Sequence, residues 1–421
     1  MQGSFSFKVS KCIAENKFTK YTWGIITGFF KKIFSVNINK ILGQLVRNRL
    51  SKKTKTNPNK IFFCSFQGDY TCNPKYITEE LLKRGTNAEI VWAGRKQSRN
   101  TPGHFPFGIK LVDIYSYEMM QEIAEAKIIV TNSVEYQKKR LPIRNDQIVF
   151  QTWHGSLGIK RFDKEHNSGK AWVKAAEYNG KTTNYCLSNS KFENNVYRNS
   201  FWPTSSILEY GHPRNDILIK KDSDEAKKTA NAVRRRLGIP NDVKVVLYGP
   251  TFRDSHNFDC YNICPEMLLK ALKDRFGGDW ILLTRYHPTV RKTGSGIKGE
   301  YGTINVSSYP DIQELMLISD IAITDYSSWI YDFMLTGRPG FIFATDINSY
   351  YNERGFYYPL ESTPFLIAKN ATELANNIRS FNENKYSEKL SSFIADQGCF
   401  ERGDASKKVV DLIQEIMEYQ K

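Results

Sequence analysis

The sequence predicts an α/β protein of two doubly wound, Rossmann-like domains facing a central cleft, with a helical basic leader in front of them. Three observations predict it. From Lys60 onward, short apolar runs alternate with helix-prone stretches, the grammar of βαβ units. A charged segment, Lys220 to Arg236 (KKDSDEAKKTANAVRRR), interrupts the alternation, which then begins again. Ahead of the first apolar run, basic residues collect without acids. Between Asn16 and Gly68 stand Lys17, Lys20, Lys31, Lys32, Lys40, Arg47, Arg49, Lys52, Lys53, Lys55 and Lys60, and no Asp or Glu.

The leader spans residues 1–58. Ile26, Phe29, Phe30 and Ile33 fall at i, i+3, i+4, i+7, and Ile38, Ile41, Leu42 and Leu45 repeat the spacing, so each set makes an apolar helical stripe. The uncharged run Tyr21 to Phe30 is far below the roughly 20 apolar residues of a spanning helix. Basic amphipathic helices of this kind lie on an anionic membrane surface; the alternative is a helical pair packed on the protein's own body. The extreme N-terminus lacks the long apolar core and cleavage site of a signal peptide.

Residues 59–220 form the first domain. Its predicted strands are Lys60 to Phe66, Glu89 to Gly94, Ile109 to Val112, Lys127 to Thr131, Gln147 to Thr152, Tyr185 to Ser188 and Ile207 to Tyr210. They are near-continuously apolar, as strands buried on both faces of a parallel sheet must be. Helices such as Ile77 to Lys83 and Tyr117 to Ala126 lie between them. Residues 221–400 form the second domain, with strands at Lys244 to Tyr248, Trp280 to Arg285, Gly302 to Val306, Ile321 to Thr324 and Gly340 to Phe343. In 401–421, Val409, Val410, Ile413, Ile416 and Met417 share one stripe, so a final helix is expected to pack back across the boundary.

Composition narrows the function. The chain has 421 residues, 40% of them hydrophobic, and a net charge of +16, which favours phosphorylated substrates, an anionic membrane or nucleic acid. Nucleic acid is disfavoured, because the surplus sits in one amphipathic segment and not along a surface with interleaved aromatics. Seven scattered cysteines suit a reducing compartment, and neither they nor the histidines show zinc-site spacing. No metal site and no cofactor is predicted. No GxGxxG follows a strand and no GxxxxGK[ST] occurs, which excludes Walker ATPases and ordinary dehydrogenases. Asp222, Ser223 and Asp224 spell DxD, but they introduce a charged helix and read as its cap.

Tandem doubly wound domains bind ligands in the crevice at the carboxyl ends of their strands. His154 (QTWHGSLGIK) and His287 (RYHP) each follow an apolar strand, one per domain. An imidazole titrates near neutral pH and suits general base catalysis. Gly155 permits close backbone approach to a ligand, and Lys160 and Arg161 follow on the next turn. In SDIAITDYSSWIYDFML, a short strand ending at Thr324 leads through Asp325, Ser327 and Ser328 into a helix capped by one of the two serines. Such a turn is an anion site, or Asp325 and the serines are caps and nothing more. Arg253 and Arg285 follow the second domain's first two strands and are placed to reach a diphosphate, the alternative being an ion pair with a neighbour such as Asp254.

These motifs together resemble the CDP-glycerol glycerophosphotransferase family, whose members build and prime teichoic acids and related capsule polymers. The resemblance runs in order through QTWHGSLGIKRFD, LSNSKFENN, GHPRNDIL, YGPTFRD, RYHP, DIQELMLISDIAITDYSSWIYDFMLTGRPGFIF and YYNERGFYY, from about Ile61 to Gln397. It implies a GT-B-like fold with a membrane-associated N-terminal part, placed at the cytoplasmic face of the membrane. It implies transfer of a polyol phosphate from CDP-glycerol or CDP-ribitol to a hydroxyl of a lipid-linked or polymeric acceptor, with CMP leaving. On the matching positions, His154 becomes the base and His287 a contact to the diphosphate; Asp325, Ser327 and Ser328 hold the nucleotide, helped by Arg253. The candidate substrate-binding set is therefore Gly155, Lys160, Arg161, Arg214, Arg253, Arg285, Thr324, Asp325, Ser327 and Ser328. The chain departs from the family pattern at Ser156 and Leu157, where Thr and Pro are common, and at His212, where Tyr is frequent. A homo-oligomer is compatible with the sequence, as is a GT-B glycosyltransferase using a nucleotide sugar.

Overall fold

The computed structural model describes residues 44–418 except 46, 67, 100–103, 135–142, 159–160, 162–168, 252, 254–258, 287–301 and the side chains of 97, 99 and 351–354. The leader stripes from Ile26 to Leu42, Lys160 and His287 lie outside the described residues. In the first domain, β1 (Asn57–Cys64), β2 (Glu89–Gly94), β3 (Lys110–Asp113), β4 (Ala126–Thr131), β5 (Ile148–Gln151), β6 (Tyr185–Leu187) and β7 (Ser206–Leu208) pair in the order 3-2-1-4-5-6-7. All of these pairings are parallel. The second domain repeats the scheme. Its strands β8 (Lys244–Tyr248), β9 (Trp280–Thr284), β10 (Thr303–Asn305), β11 (Ile321–Thr324), β12 (Gly340–Phe343) and β13 (Leu366–Ala368) run 10-9-8-11-12-13, again parallel. Two doubly wound sheets in tandem are the GT-B-like architecture expected from the sequence. The three-residue β13 escaped sequence reading because so short an apolar run carries no periodicity.

Burial on both faces explains the apolar strands. Along β1, Ile61 and Phe63 face one layer with Trp92 of β2 and Ile128 and Val130 of β4, while Phe62 and Cys64 face the other. Helix α1 (Cys72–Lys83) covers the first layer through Ile77 and Leu81, and α2 (Tyr117–Glu125) covers the second through Met119 and Ile123. Ser116 starts α2 by accepting the Met119 amide. The DxD segment begins α3 (Asp224–Leu237): Ser223 accepts the Ala226 amide, acids fill the first turn and arginines the last, and Gly238 ends the helix at φ 67°.

Across the cleft, α4 (Ile312–Ile318) is capped by Asp311, whose carboxylate also meets Lys75 of α1 at 2.6 Å. Glu314 takes the same ammonium at 2.5 Å, and the Tyr76 hydroxyl donates to Asp311 at 3.1 Å. Helix α5 (Trp329–Met334) follows β11. The final helix, α6 (Ala405–Glu418), buries Val409, Val410 and Ile413 against the first domain's sheet, and Asp216 caps it by accepting the amides of Ala405 and Ser406. Among the described residues, no helix is long and apolar enough to cross a membrane.

The chain therefore passes between the domains twice, near 211–216 and near 399–404, and the two passages are bonded to each other. Glu401 accepts from the His212 amide at 3.2 Å and from Asn215 Nδ2 at 2.8 Å. Burial pushes its carboxyl up to about 7 from an ordinary 4.5, although His212 opposes the shift. A raised folded-state pKa contributes stability that is present below the ordinary value and lost as pH rises through the shifted one. Relative to Glu401→Gln, the wild-type protein should lose on the order of 3 kcal/mol between pH 4.5 and 8. Denaturation midpoints of the two proteins across that range check this; parallel curves would contradict it.

Candidate active site between the two sheets

In each sheet the strand order reverses between the first and fourth strands, at β1/β4 and at β8/β11, and candidate residues lie in loops beyond the carboxyl ends of these strands or of their neighbours β5 and β9. His154 lies just beyond β5. Its Nδ1 is 2.6 Å from the carbonyl oxygen of Asn132, the first residue after β4. A carbonyl only accepts, so Nδ1 carries the proton and donates it, which places the basic lone pair on Nε2. The ring is held by Trp153 at 4.3 Å and edge-on by Phe66 at 5.0 Å between centroids.

Asn132 organises this corner. Its Oδ1 accepts the Phe66 amide at 2.9 Å and its Nδ2 donates to Ser65 Oγ at 3.1 Å, which ties the β1 loop to the β4 loop. Phe66 and Trp153 both have left-handed backbones, at φ 42° and 48°, a conformation costly for bulky side chains and concentrated at functional sites. A Cβ on Gly155 would stand 3.1 Å from the Trp153 indole nitrogen, so a larger residue there would disturb the ring that backs His154.

The loop after His154 docks on the second domain. Leu157 is buried in that domain's core, and its carbonyl accepts from the Tyr358 hydroxyl. Ser156 is buried too, with Oγ accepting from Asn189. The Arg161 amide donates to Gly355 O at 3.2 Å, and its guanidinium lies over the Tyr357 ring and near Phe356 O. Arg161 thus reaches the segment YYNERGFYY and is engaged by its carbonyls.

In the second domain several assignments need correction. Arg253 is 4% exposed and saturated by acids: its Nη1 meets Asp325 at 2.8 Å, while Nε and Nη2 grip both oxygens of Asp346 at 2.6 and 2.9 Å. The rings of Tyr326 and Tyr350 lie 4.8 and 4.9 Å from it. Burial favours the neutral form of Asp346, but the Arg253 hydrogen bonds outweigh it and hold the carboxyl below its usual range. The expected ion-pair alternative holds for Arg253, with Asp325 and Asp346 as its partners. With the Thr251 carbonyl taking Nη1 as well, four of the five donors of this buried guanidinium are engaged within the protein.

Asp325 is likewise turned inward. It accepts the Thr251 amide through both oxygens, at 2.8 and 3.0 Å, and a buried carboxylate would repel a diphosphate. Thr324 donates to Gly249 O at 2.7 Å, and the Trp329 indole donates to the same carbonyl at 3.0 Å. These three residues shape the loop Gly249 to Thr251. Ser328 occupies the N-cap position of α5, as expected of one of the two serines, but makes no side-chain capping bond, and both Ser327 and Ser328 are half-buried at the turn.

Arg285 is half-buried, donates to Tyr309 O at 3.3 Å through Nη2, and has no partner for Nε among the described residues. Burial lowers its pKa against the opposing fields of Asp311 and Asp69. Arg214 is 2% exposed and paired with Asp332, so the assignment as a direct substrate ligand is corrected as well. Among the described residues, no group of three or more His, Cys, Asp and Glu could hold a metal ion. Sequence reasoning missed Asn132, Asp346 and Asn73. Asn132 was within reach, as a polar residue directly after a strand at the sheet's reversal point; Asp346 stands 93 residues from Arg253, and no local pattern links them.

What remains is an imidazole of fixed tautomer past a strand end of the first sheet, and the half-buried Ser327, Ser328 and Arg285 past strand ends of the second. Such a site can take a proton from a hydroxyl near an anionic group. The sequence profile of CDP-glycerol:poly(glycerophosphate) glycerophosphotransferases matches residues 46–415. A teichoic acid poly(glycerol phosphate) polymerase of Staphylococcus epidermidis is 32% identical over 88% of this chain, which spans about half, 52%, of that protein's length. The polymerase of the same name from Bacillus spizizenii is 32% identical over 90% of this chain and 95% of its own. Among solved structures, the wall teichoic acid polymerase TagF, as a histidine-to-asparagine variant soaked with CDPG, superposes with a TM-score of 0.78 at 30% identity, covering 94% of this chain and 99% of its own.

Proposed function

This chain belongs to the CDP-glycerol:poly(glycerophosphate) glycerophosphotransferase family, and on that premise we propose that it transfers glycerol phosphate from CDP-glycerol to a hydroxyl of a polymeric or lipid-linked acceptor in teichoic acid synthesis, at the cytoplasmic face of the membrane. The observation that carries the reading is the bond from His154 Nδ1 to the Asn132 carbonyl, which fixes the tautomer whose basic lone pair is on Nε2. The acceptor oxygen attacks the phosphorus that bears glycerol, and its proton passes to Nε2. The bond from that phosphorus to the bridging oxygen breaks, and CMP leaves with the electron pair. Reactions of this kind depend on positioning and on neutralising phosphoryl charge. Ser327 and Ser328, at the second sheet's reversal point, and Arg285, past the neighbouring β9, supply donors; His287 and Lys160 complete the proposed set. The basic leader holds the protein to anionic lipid, which presents the acceptor.

One experiment tests both parts. The purified full chain is incubated with radiolabelled CDP-glycerol and anionic phospholipid vesicles carrying a glycerol-phosphate-terminated lipid. Label should move to the lipid in step with CMP release, and the protein should sediment with the vesicles, less so as salt is raised. Transfer from CDP-ribitol or a UDP-sugar in place of CDP-glycerol would overturn the donor, and equal sedimentation with neutral vesicles would overturn the leader's role.

A further inference from the structure

Arg214 lies where the chain leaves the first domain, in the turn Pro213–Asn215, and its side chain and backbone amide together bond to three residues of both domains. Nε and Nη2 hold the two oxygens of Asp332 at 2.8 and 3.2 Å. Nη2 also donates to the Gly155 carbonyl, one residue beyond His154. Its backbone N–H donates at 3.2 Å to Oδ1 of Asn73, whose Nδ2 donates to the carbonyls of Thr152 at 3.0 Å and Trp153 at 3.3 Å. Arg214 and Asn73 therefore fix three carbonyls that bracket His154. Asp332 belongs to α5, whose first turn follows Ser327 and Ser328. One guanidinium ties the loop of the base to the helix behind the donor hydroxyls.

Stability alone does not call for this arrangement, since a buried ion pair is often no better than apolar packing of the same volume. What a planar, forked guanidinium supplies is simultaneous, directional bonding to a carboxylate and a carbonyl, which an ammonium cannot reproduce. We propose that Arg214 is a positioning residue for the transfer reaction, setting the His154 loop against α5 so that base and phosphorus keep one separation. The proposal rests on His154 acting as the base. A displacement of about 1 Å in such a loop costs on the order of a hundredfold in rate.

The test is a double-mutant cycle on the full chain. Arg214→Lys keeps the charge opposite Asp332 but cannot also hold Gly155. It should lower kcat by about 10- to 100-fold while the KM for CDP-glycerol stays within about threefold. In a His154→Ala background the same substitution should change the residual rate by less than about twofold, because the group it positions is gone. Equal losses in both backgrounds, or an unchanged kcat, would overturn the positioning role while leaving His154 as base. Wild-type turnover in His154→Ala alone would remove the base, and this proposal with it. Should Arg214→Lys fail to fold, Asn73→Ala frees the carbonyls of Thr152 and Trp153 on the other side of His154 and must show the same non-additivity.

Discussion

His154→Ala should lower turnover by about two to four orders of magnitude, the usual worth of general acid–base catalysis, and leave the affinity for CDP within a few-fold of wild type. The split follows from where the side chain sits. Its partners are the Asn132 carbonyl and the rings of Trp153 and Phe66, all on the first domain, whereas Ser327, Ser328 and Arg285 stand on the second. Removing the imidazole takes away a proton acceptor and none of those donors. Steady-state kinetics together with calorimetry of CDP binding separates the two quantities. Turnover near wild type would eliminate His154 from the chemistry, and a matching loss of CDP affinity would place the ring against the nucleotide instead.

For Arg253→Met the expected loss is in the fold itself, about 3–5 kcal/mol, the cost of removing one partner from a buried charged cluster. Asp325 is 2% exposed and would be left as an unpaired carboxylate beside Asp346. Its grip on the Thr251 amide would loosen with it, so nucleotide affinity should fall as a consequence. Arg253→Met/Asp346→Asn should recover part of the stability, since it deletes one of the stranded charges. The lowered pKa of Asp346 adds a sign: its contribution is present above the ordinary value of 3.8 and lost as pH falls below it, so the wild-type advantage over Arg253→Met should shrink in acid. Denaturant titrations at two pH values measure this. A variant as stable as wild type with a selective loss of CDP binding would return Arg253 to the ligand.

The sheets were legible because a parallel strand buried on both faces must be apolar throughout, and KIFFC, EIVWAG, KVVLY and WILLT have few other readings. His154 was legible for a related reason: strand order places the carboxyl ends at the cleft, so a histidine just past β5 faces it. The arginines were not. Whether a guanidinium meets a ligand or a carboxylate depends on residues far away in sequence, such as Asp346 for Arg253 and Asp332 for Arg214. Charge type and strand-end position are the same in both cases; only tertiary pairing separates them. Asp325 misled in the same way, since an acid in a turn before a helix has the pattern of a cap, whereas its bonds run sideways to Thr251 and Arg253.

The paired passages between the domains also limit how those domains can move. Two strands of chain bonded side by side through His212, Asn215 and Glu401 act as a hinge with two pins, which resists twist and leaves rotation about their common line as the soft motion. Groups on that line, Arg214 and Asp332 among them, barely shift as the cleft swings. The contacts of Lys75 with Asp311 and Glu314 and of Arg161 with Gly355 also join the two domains, and a swing that parts them has to break these. Opening of the cleft is thus opposed by a few ion pairs and hydrogen bonds that span it, while the geometry near the axis is kept.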